Sequence, residues 1–287
     1  MTASPLWRAR GGRATRGGAS TTATFRYLTP LAERPYVHCY EPPPGVARSN
    51  YRWDERALAV EDIRPAATQL SWDTDGLRLV RHAAPPVELG DHAAARALWY
   101  GMACDLVRQA TGASTAIVFD HTFRKTITAS ESTADCRPPV MQVHVDGVAD
   151  IAAGFVRRHY PAEAEGWLAG HWQIINLWRP LLGRVEDMPL AFCDGRNICV
   201  EDLVATDLLF PEGRTALTYQ LTWRADHRWR YFPDMTATEA VMFKCFDSAE
   251  TAPVRFVPHC SFADAGCRPD APPRRSVELR LFVHFGD

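Results

Sequence analysis

No stretch of this 287-residue chain is apolar for long enough to span a bilayer as a helix, which takes about 20 consecutive residues. Its N-terminus also lacks the short apolar core of a secretory signal. The expectation is a cytoplasmic protein with no membrane partner. Charge of one sign is equally scarce: 32 Lys and Arg stand against 34 Asp and Glu, a formal net charge of -2. No long-range field therefore draws the chain to nucleic acid or to anionic lipid. The eight cysteines form no C-x-x-C pair, which removes the usual zinc and redox spacings and leaves reduced, structural thiols as the expectation. There is no internal repeat and no βαβ alternation, which argues against solenoids and doubly wound sheets.

What is present is an ordinary globular balance, 46% hydrophobic and 23% charged residues, enough to bury a core. Residues 1–24 scatter Arg8, Arg10, Arg13 and Arg16 among Gly, Ala, Ser and Thr. That segment is expected to be a disordered basic tail, too sparsely charged for a nucleic-acid arm. Residues 25–287 are expected to form one domain. Its N-terminal extension, 25–86, is read as irregular structure with short extended pieces lying over the core, punctuated by the Pro-rich run Glu41 to Gly45. A helix is expected after Asp91, with Leu98, Trp99, Met102, Leu106, Val107 and Ala110 on its apolar stripe and Gly112 as its stop. A second is expected over Val148 to Tyr160, ended by Pro161. Strand-like runs follow at Ala116 to Phe119, Val140 to Val145, Gln173 to Trp178, Leu190 to Cys193, Ala216 to Trp223, Trp229 to Phe232, Val241 to Phe246 and Val277 to Phe285. The fold class is thus mainly β with flanking helices, and a jelly-roll barrel suits it.

The sharpest chemical feature is His144-Val145-Asp146. In a strand, residues i and i+2 point to one face, so an imidazole and a carboxylate can share one cation. A third ligand is needed, and His259 in Val257-Pro258-His259-Cys260-Ser261 is the candidate. Two His and one carboxylate with open positions is the arrangement of non-haem iron(II) oxygenases. Further on, Arg274 and Ser276 flank Arg275 at the same i, i+2 spacing, and a guanidinium with a hydroxyl can grip a carboxylate. Each part alone has a structural reading: H-x-D arises by chance, a lone His is commonly a hydrogen-bonded core residue, and Arg274-Arg275 can be a solvated strand start. The ordered set is more specific than any of its parts.

At these residues the chain resembles the gibberellin desaturase-like and cephem methoxylase-like iron oxygenases. The matching words include Val118-Phe119-Asp120-His121-Thr122-Phe123-Arg124, Val143 to Asp146, Asn176-Leu177-Trp178-Arg179-Pro180, Trp229 to Met235, Phe243 to Ser248, Pro258-His259 and Arg274 to Arg280. The resemblance implies a double-stranded β-helix, Fe(II) held by His144, Asp146 and His259, and 2-oxoglutarate held by Arg274 and Ser276. It also implies dioxygen and a small specialised metabolite as partners, with hydroxylation, desaturation or ring formation as the outcome. Cys260-Ser261 departs from the pattern, where a small hydroxyl residue followed by Ala is expected. Asn176, Trp178, Arg179 and Arg124 stand open between lining the pocket and structural roles. For Asp120, His121 and Arg124 the structural reading is favoured, since a buried Asp and Arg pair would satisfy each other. Two other readings of the chain remain: an iron oxidase that needs no oxo acid, and a jelly-roll binding protein without catalysis.

Overall fold

The computed structural model describes residues 20–286, apart from 129, 130, 134 and 182. In chain order its elements are β1 (Ser20–Leu28), β2 (Tyr36–His38), β3 (Trp53–Asp62), α1 (Trp72–Asp75), β4 (Leu77–Arg81), α2 (His92–Thr111), β5 (Thr115–Lys125), β6 (His144–Gly147), α3 (Ala149–His159), α4 (Ala164–Ala169), β7 (His171–Pro180), β8 (Leu190–Cys193), β9 (Leu203–Leu209), β10 (Thr215–Leu221), β11 (Trp229–Tyr231), β12 (Glu239–Asp247), β13 (His259–Ser261) and β14 (Arg275–Phe285). They form two sheets. One has nine strands in the order β1-β3-β11-β8-β13-β6-β10-β9-β2, and the other five in the order β4-β12-β7-β14-β5. Apart from the β9–β10 and β1–β3 pairs, neighbours in space are distant in sequence, which is the jelly-roll connectivity expected.

The two sheets meet through aromatic side chains. Phe192 of β8 and Phe243 of β12 lie with ring centroids 5.1 Å apart, and Phe243 in turn sits 4.5 Å from the His259 ring. A second core lies on the outer face of the five-stranded sheet. There Ile175, Leu177, Val277, Leu279 and Leu281 pack with Trp99, Ala103 and Val107 of α2. The alternation is strict along β7 and β14: odd-numbered residues of this outer core leave Ile174, Trp178 and Phe282 to the core between the sheets, as a period of two requires.

The N-terminal segment differs from expectation. Residues 1–19 of the expected tail lie outside the described residues, but Ser20–Thr24 belong to β1, which pairs along its length with β3. Ala23, Phe25 and Tyr27 are buried on one face, and Thr-rich sequence suits a pleated edge. Nor is 25–86 an irregular cover: β3 also pairs with β11, and β4 with β12, so this segment is built into both sheets. Charged residues within Trp53–Asp62 dilute its apolar alternation because the strand is half-exposed, which hides the signal.

Helix α2 forms where expected. The Asp91 side chain accepts from the Ala94 N–H, and Gly112 closes it at φ 76°, a left-handed cap that glycine adopts without penalty. Its buried stripe is Ala95, Trp99, Ala103 and Val107, whereas Leu98 and Met102 are exposed; Trp99 and three smaller residues face the sheet. β6 starts only at His144, not Val140. All eight cysteines are free thiols, and among the described residues no helix is long and apolar enough to cross a membrane.

Candidate metal centre and adjoining anion pocket

β6 and β13 are neighbours, and their register sets His259 directly opposite His144. Asp146, two residues along β6, points to the same side. One ligand atom from each of the three lies within 4.8 Å of the others, and the two imidazole centroids are 4.4 Å apart. The residues that the sequence singled out separately are therefore brought together.

The second nitrogen of each ring is fixed by the backbone. His144 Nδ1 lies 2.9 Å from the Gln142 carbonyl, and His259 Nδ1 lies 3.2 Å from the Val257 carbonyl. A carbonyl only accepts, so Nδ1 carries the proton in both rings and Nε2 offers a lone pair. Burial, above all, pushes the pKa of both histidines down to about 4, so they are neutral at ordinary pH. Burial alone would raise Asp146, but the adjacent Arg280 charge outweighs it and holds the carboxyl well below its usual range. Two neutral imidazoles and one carboxylate form a donor set suited to a divalent transition metal.

Asp146 is oriented from behind. Its Oδ2 accepts from Asn176 Nδ2 and from Arg280 Nε, each at 2.8 Å, which leaves Oδ1 on the side of His144 Nε2, 3.9 Å away. Arg280 spends its other donors on Asp120, Thr122 and Glu278. Asp120 thus pairs with Arg280, not with Arg124, contrary to the expected Asp120–Arg124 pair; Arg124 instead donates to the Pro138 carbonyl.

Beside the triad is a pocket lined by Arg124, Val140, His144, Trp178, Leu190, His259, Ser261, Arg274 and Glu278. Arg274 is 3% exposed and precedes β14, so its side chain shares the inner face with Ser276, Glu278 and Arg280. Its Nη1 donates to the Met188 carbonyl and, at 2.7 Å, to Ser261 Oγ. The departure at Cys260-Ser261 therefore supplies an acceptor that holds Arg274 in place. Burial, and then the neighbouring Arg124 charge, lower the Arg274 pKa to about 9. Arg274 Nε, Ser276 Oγ and Trp178 Nε1 have no partner among the described residues. Buried polar groups are ordinarily paired, and the unused donors of Arg274, Ser276 and Trp178, beside the second cation Arg124, suit an anion.

Of the residues left open, Asn176, Trp178 and Arg124 face this region. Arg179 does not: it lies on the outer face of β7, where its guanidinium covers the Trp99 ring at 4.6 Å. The alternation of β7 separates it from Asn176 and Trp178. Arg280, Glu278 and Ser261 were given no role on sequence grounds. The signal for Glu278 and Arg280 was the polar series Arg274, Ser276, Glu278, Arg280 at every second position of an otherwise apolar strand.

Comparison with known proteins places this geometry. Residues 25–284 match the family described as Oxidoreductase/YMDC permease-like domain. A hydroxylase/desaturase of Cercospora beticola is 30% identical over 269 residues, 85% of this chain and 80% of the relative. An Fe(II)/2-oxoglutarate-dependent dioxygenase of Aspergillus novofumigatus is 28% identical over 85% of this chain and 89% of its own. The solved structure of the iron and alpha-ketoglutarate-dependent endoperoxidase NvfI superposes with a TM-score of 0.85 at 26% identity, covering 93% of this chain and 99% of that one.

Proposed function

The chain belongs to the oxidoreductase family that these matches define, and from that premise we propose that it is an iron(II)- and 2-oxoglutarate-dependent oxygenase acting on a small specialised metabolite. His144 and His259 through Nε2 and Asp146 through Oδ1 would hold the iron. Arg274, with Ser276 and the Trp178 indole N–H, receives the cosubstrate carboxylate in the adjoining pocket. The reading rests on one observation above the rest: the triad adjoins a pocket containing the buried Arg274 guanidinium, the half-buried Arg124 and donors that lack partners among the described residues.

Iron(II) held there with 2-oxoglutarate and dioxygen would supply the oxidation of an unactivated carbon. The chain's own contribution is orientation and exclusion of water. Backbone carbonyls lock both imidazole tautomers. Asn176 and Arg280 pin one carboxylate oxygen and leave the other free. Arg274, held by Met188 and Ser261, is set in position before the anion arrives, so little side-chain entropy is lost on binding.

The test is an anaerobic titration with iron(II) and 2-oxoglutarate, reading the weak visible charge-transfer band of a chelated oxo acid, followed by succinate formation in air. The band is expected in the native protein and absent in His144→Ala. Metal binding without a band would instead favour an iron oxidase that uses no oxo acid, and no metal binding at all would sink the enzymatic reading.

A further inference from the structure

A separate cavity of about 250 Å³ lies outside the barrel, between α2 and the outer face of the five-stranded sheet. Trp99, Met102, Leu106 and Leu279 wall it, and Arg179 and His82 supply its inner polar groups. Arg81, Asp105 and Gln109 also line it; Asp105 is exposed and directed to Arg108, 3.8 Å away.

Arg179 is 4% exposed and has no carboxylate partner among the described residues. Its Nε and Nη2 make long contacts to the Pro180 and Ala237 carbonyls at 3.4 and 3.2 Å. Nη1 has no partner among the described residues. A buried cation is ordinarily paired, because desolvation is expensive; here burial lowers its pKa to about 10, and no anion among the described residues offsets it.

His82 presents the same deficit. Its Nδ1 accepts from the Ala84 N–H at 3.0 Å, so the neutral ring carries its proton on Nε2, and that donor too lacks a partner among the described residues. Burial, and then the Arg179 charge, push the His82 pKa below its ordinary value, and both groups line the same cavity. Two unused donors, one of them a permanent cation, thus serve one cavity with an apolar wall. Its volume exceeds the roughly 150 Å³ apolar cavity that accepts benzene, so it has room for a compact ring system and a head group.

We infer that this cavity is a second binding site, for a small organic anion that carries a carboxylate on a compact apolar body such as a fused aromatic pair. Leu177 and Arg179 face it, whereas Asn176 and Trp178 on the same strand face the barrel interior. It is therefore distinct from the metal centre, and its occupancy does not depend on the function proposed above.

The experiment is isothermal titration of the full-length protein with 2-naphthoate and, in parallel, with its neutral isostere 2-naphthamide. Iron(II) and 2-oxoglutarate are present so that the inner pocket is also supplied. Saturable one-to-one binding of the acid is expected, with the amide weaker by about tenfold or more, since the charge-assisted contact is lost. Arg179→Gln should weaken the acid by a similar factor while leaving the amide unchanged. Met102→Trp, a change at a part-exposed helix position that narrows the cavity, should weaken both. No binding, equal affinity of acid and amide, or full affinity in Arg179→Gln overturns the inference. If Arg179→Gln does not fold, Met102→Trp decides, because undiminished binding there would place the ligand elsewhere.

Discussion

Asn176→Ala isolates the orientation of the carboxylate ligand without altering any charge. Asn176 is fully buried, and its Nδ2 donates to Asp146 Oδ2 at 2.8 Å, while its own Oδ1 has no partner among the described residues. A hydrogen bond to a charged acceptor contributes about 1.5–3 kcal/mol. Removing the unpaired Oδ1 offsets part of that loss, so the metal-free protein should lose about 1–2 kcal/mol. Loss of a group that orients a ligand weakens metal affinity by about 10–100-fold. Arg280 still holds the same oxygen, which favours the lower end, about tenfold or 1.4 kcal/mol. Urea unfolding of the metal-free protein measures the first quantity, and anaerobic iron(II) titration against a competing chelator the second. Arg179→Gln, on the opposite face of the same strand, is the control that should leave iron affinity unchanged. A stability loss with undiminished iron affinity would mean that Asn176 merely packs, and would refute the orienting role.

Arg274→Met should weaken 2-oxoglutarate by about tenfold or more while iron binding persists, because one charge-assisted contact is removed; an unaltered charge-transfer titration would exclude Arg274 from the cosubstrate site. Ser261→Ala, which frees Arg274 Nη1 from one partner, should raise the 2-oxoglutarate KM more than it lowers kcat, measured by succinate release. In Gly147→Ala the new Cβ would lie 2.6 Å from the Leu217 carbonyl oxygen and 2.7 Å from its carbon. No flexible side-chain end is there to give way, so β6 must shift from β10 at a cost of about 1–3 kcal/mol, with weakened iron binding beside it; native stability would contradict the packing. Finally, His121, His144 and His259 are each lowered from 6.5 to about 4, chiefly by burial. Between those pH values the unfolded chain takes up protons that the folded one refuses. Stability of the metal-free protein should therefore fall as pH drops from 6.5 toward 4, by at most about 1.4 kcal/mol per unit for each histidine. Urea midpoints that stay level from pH 7 to pH 5 would contradict this.

Local periodicity was legible in the sequence. The His144 and Asp146 pair needed only the two-residue repeat of a strand, and α2 was bracketed by its Asp91 and Gly112 caps. The same repeat would have separated Arg179 from Asn176 and Trp178, and would have grouped Arg274, Ser276, Glu278 and Arg280 on one face, because side-chain alternation is a covalent property of extended backbone. What the repeat leaves open is which face meets the barrel interior and which strand lies alongside. The pairing of His259 with His144, the reach of Arg280 to Asp146 and Asp120, and the incorporation of β1, β3 and β4 into the sheets are contacts across long sequence separations. They arise when two sheets bury their apolar faces against each other and complete their hydrogen bonds with whichever strand is adjacent. The sequence thus determined the donor types and their local spacing, and the tertiary structure decided their partners, since burial and strand pairing are settled between segments and not within them.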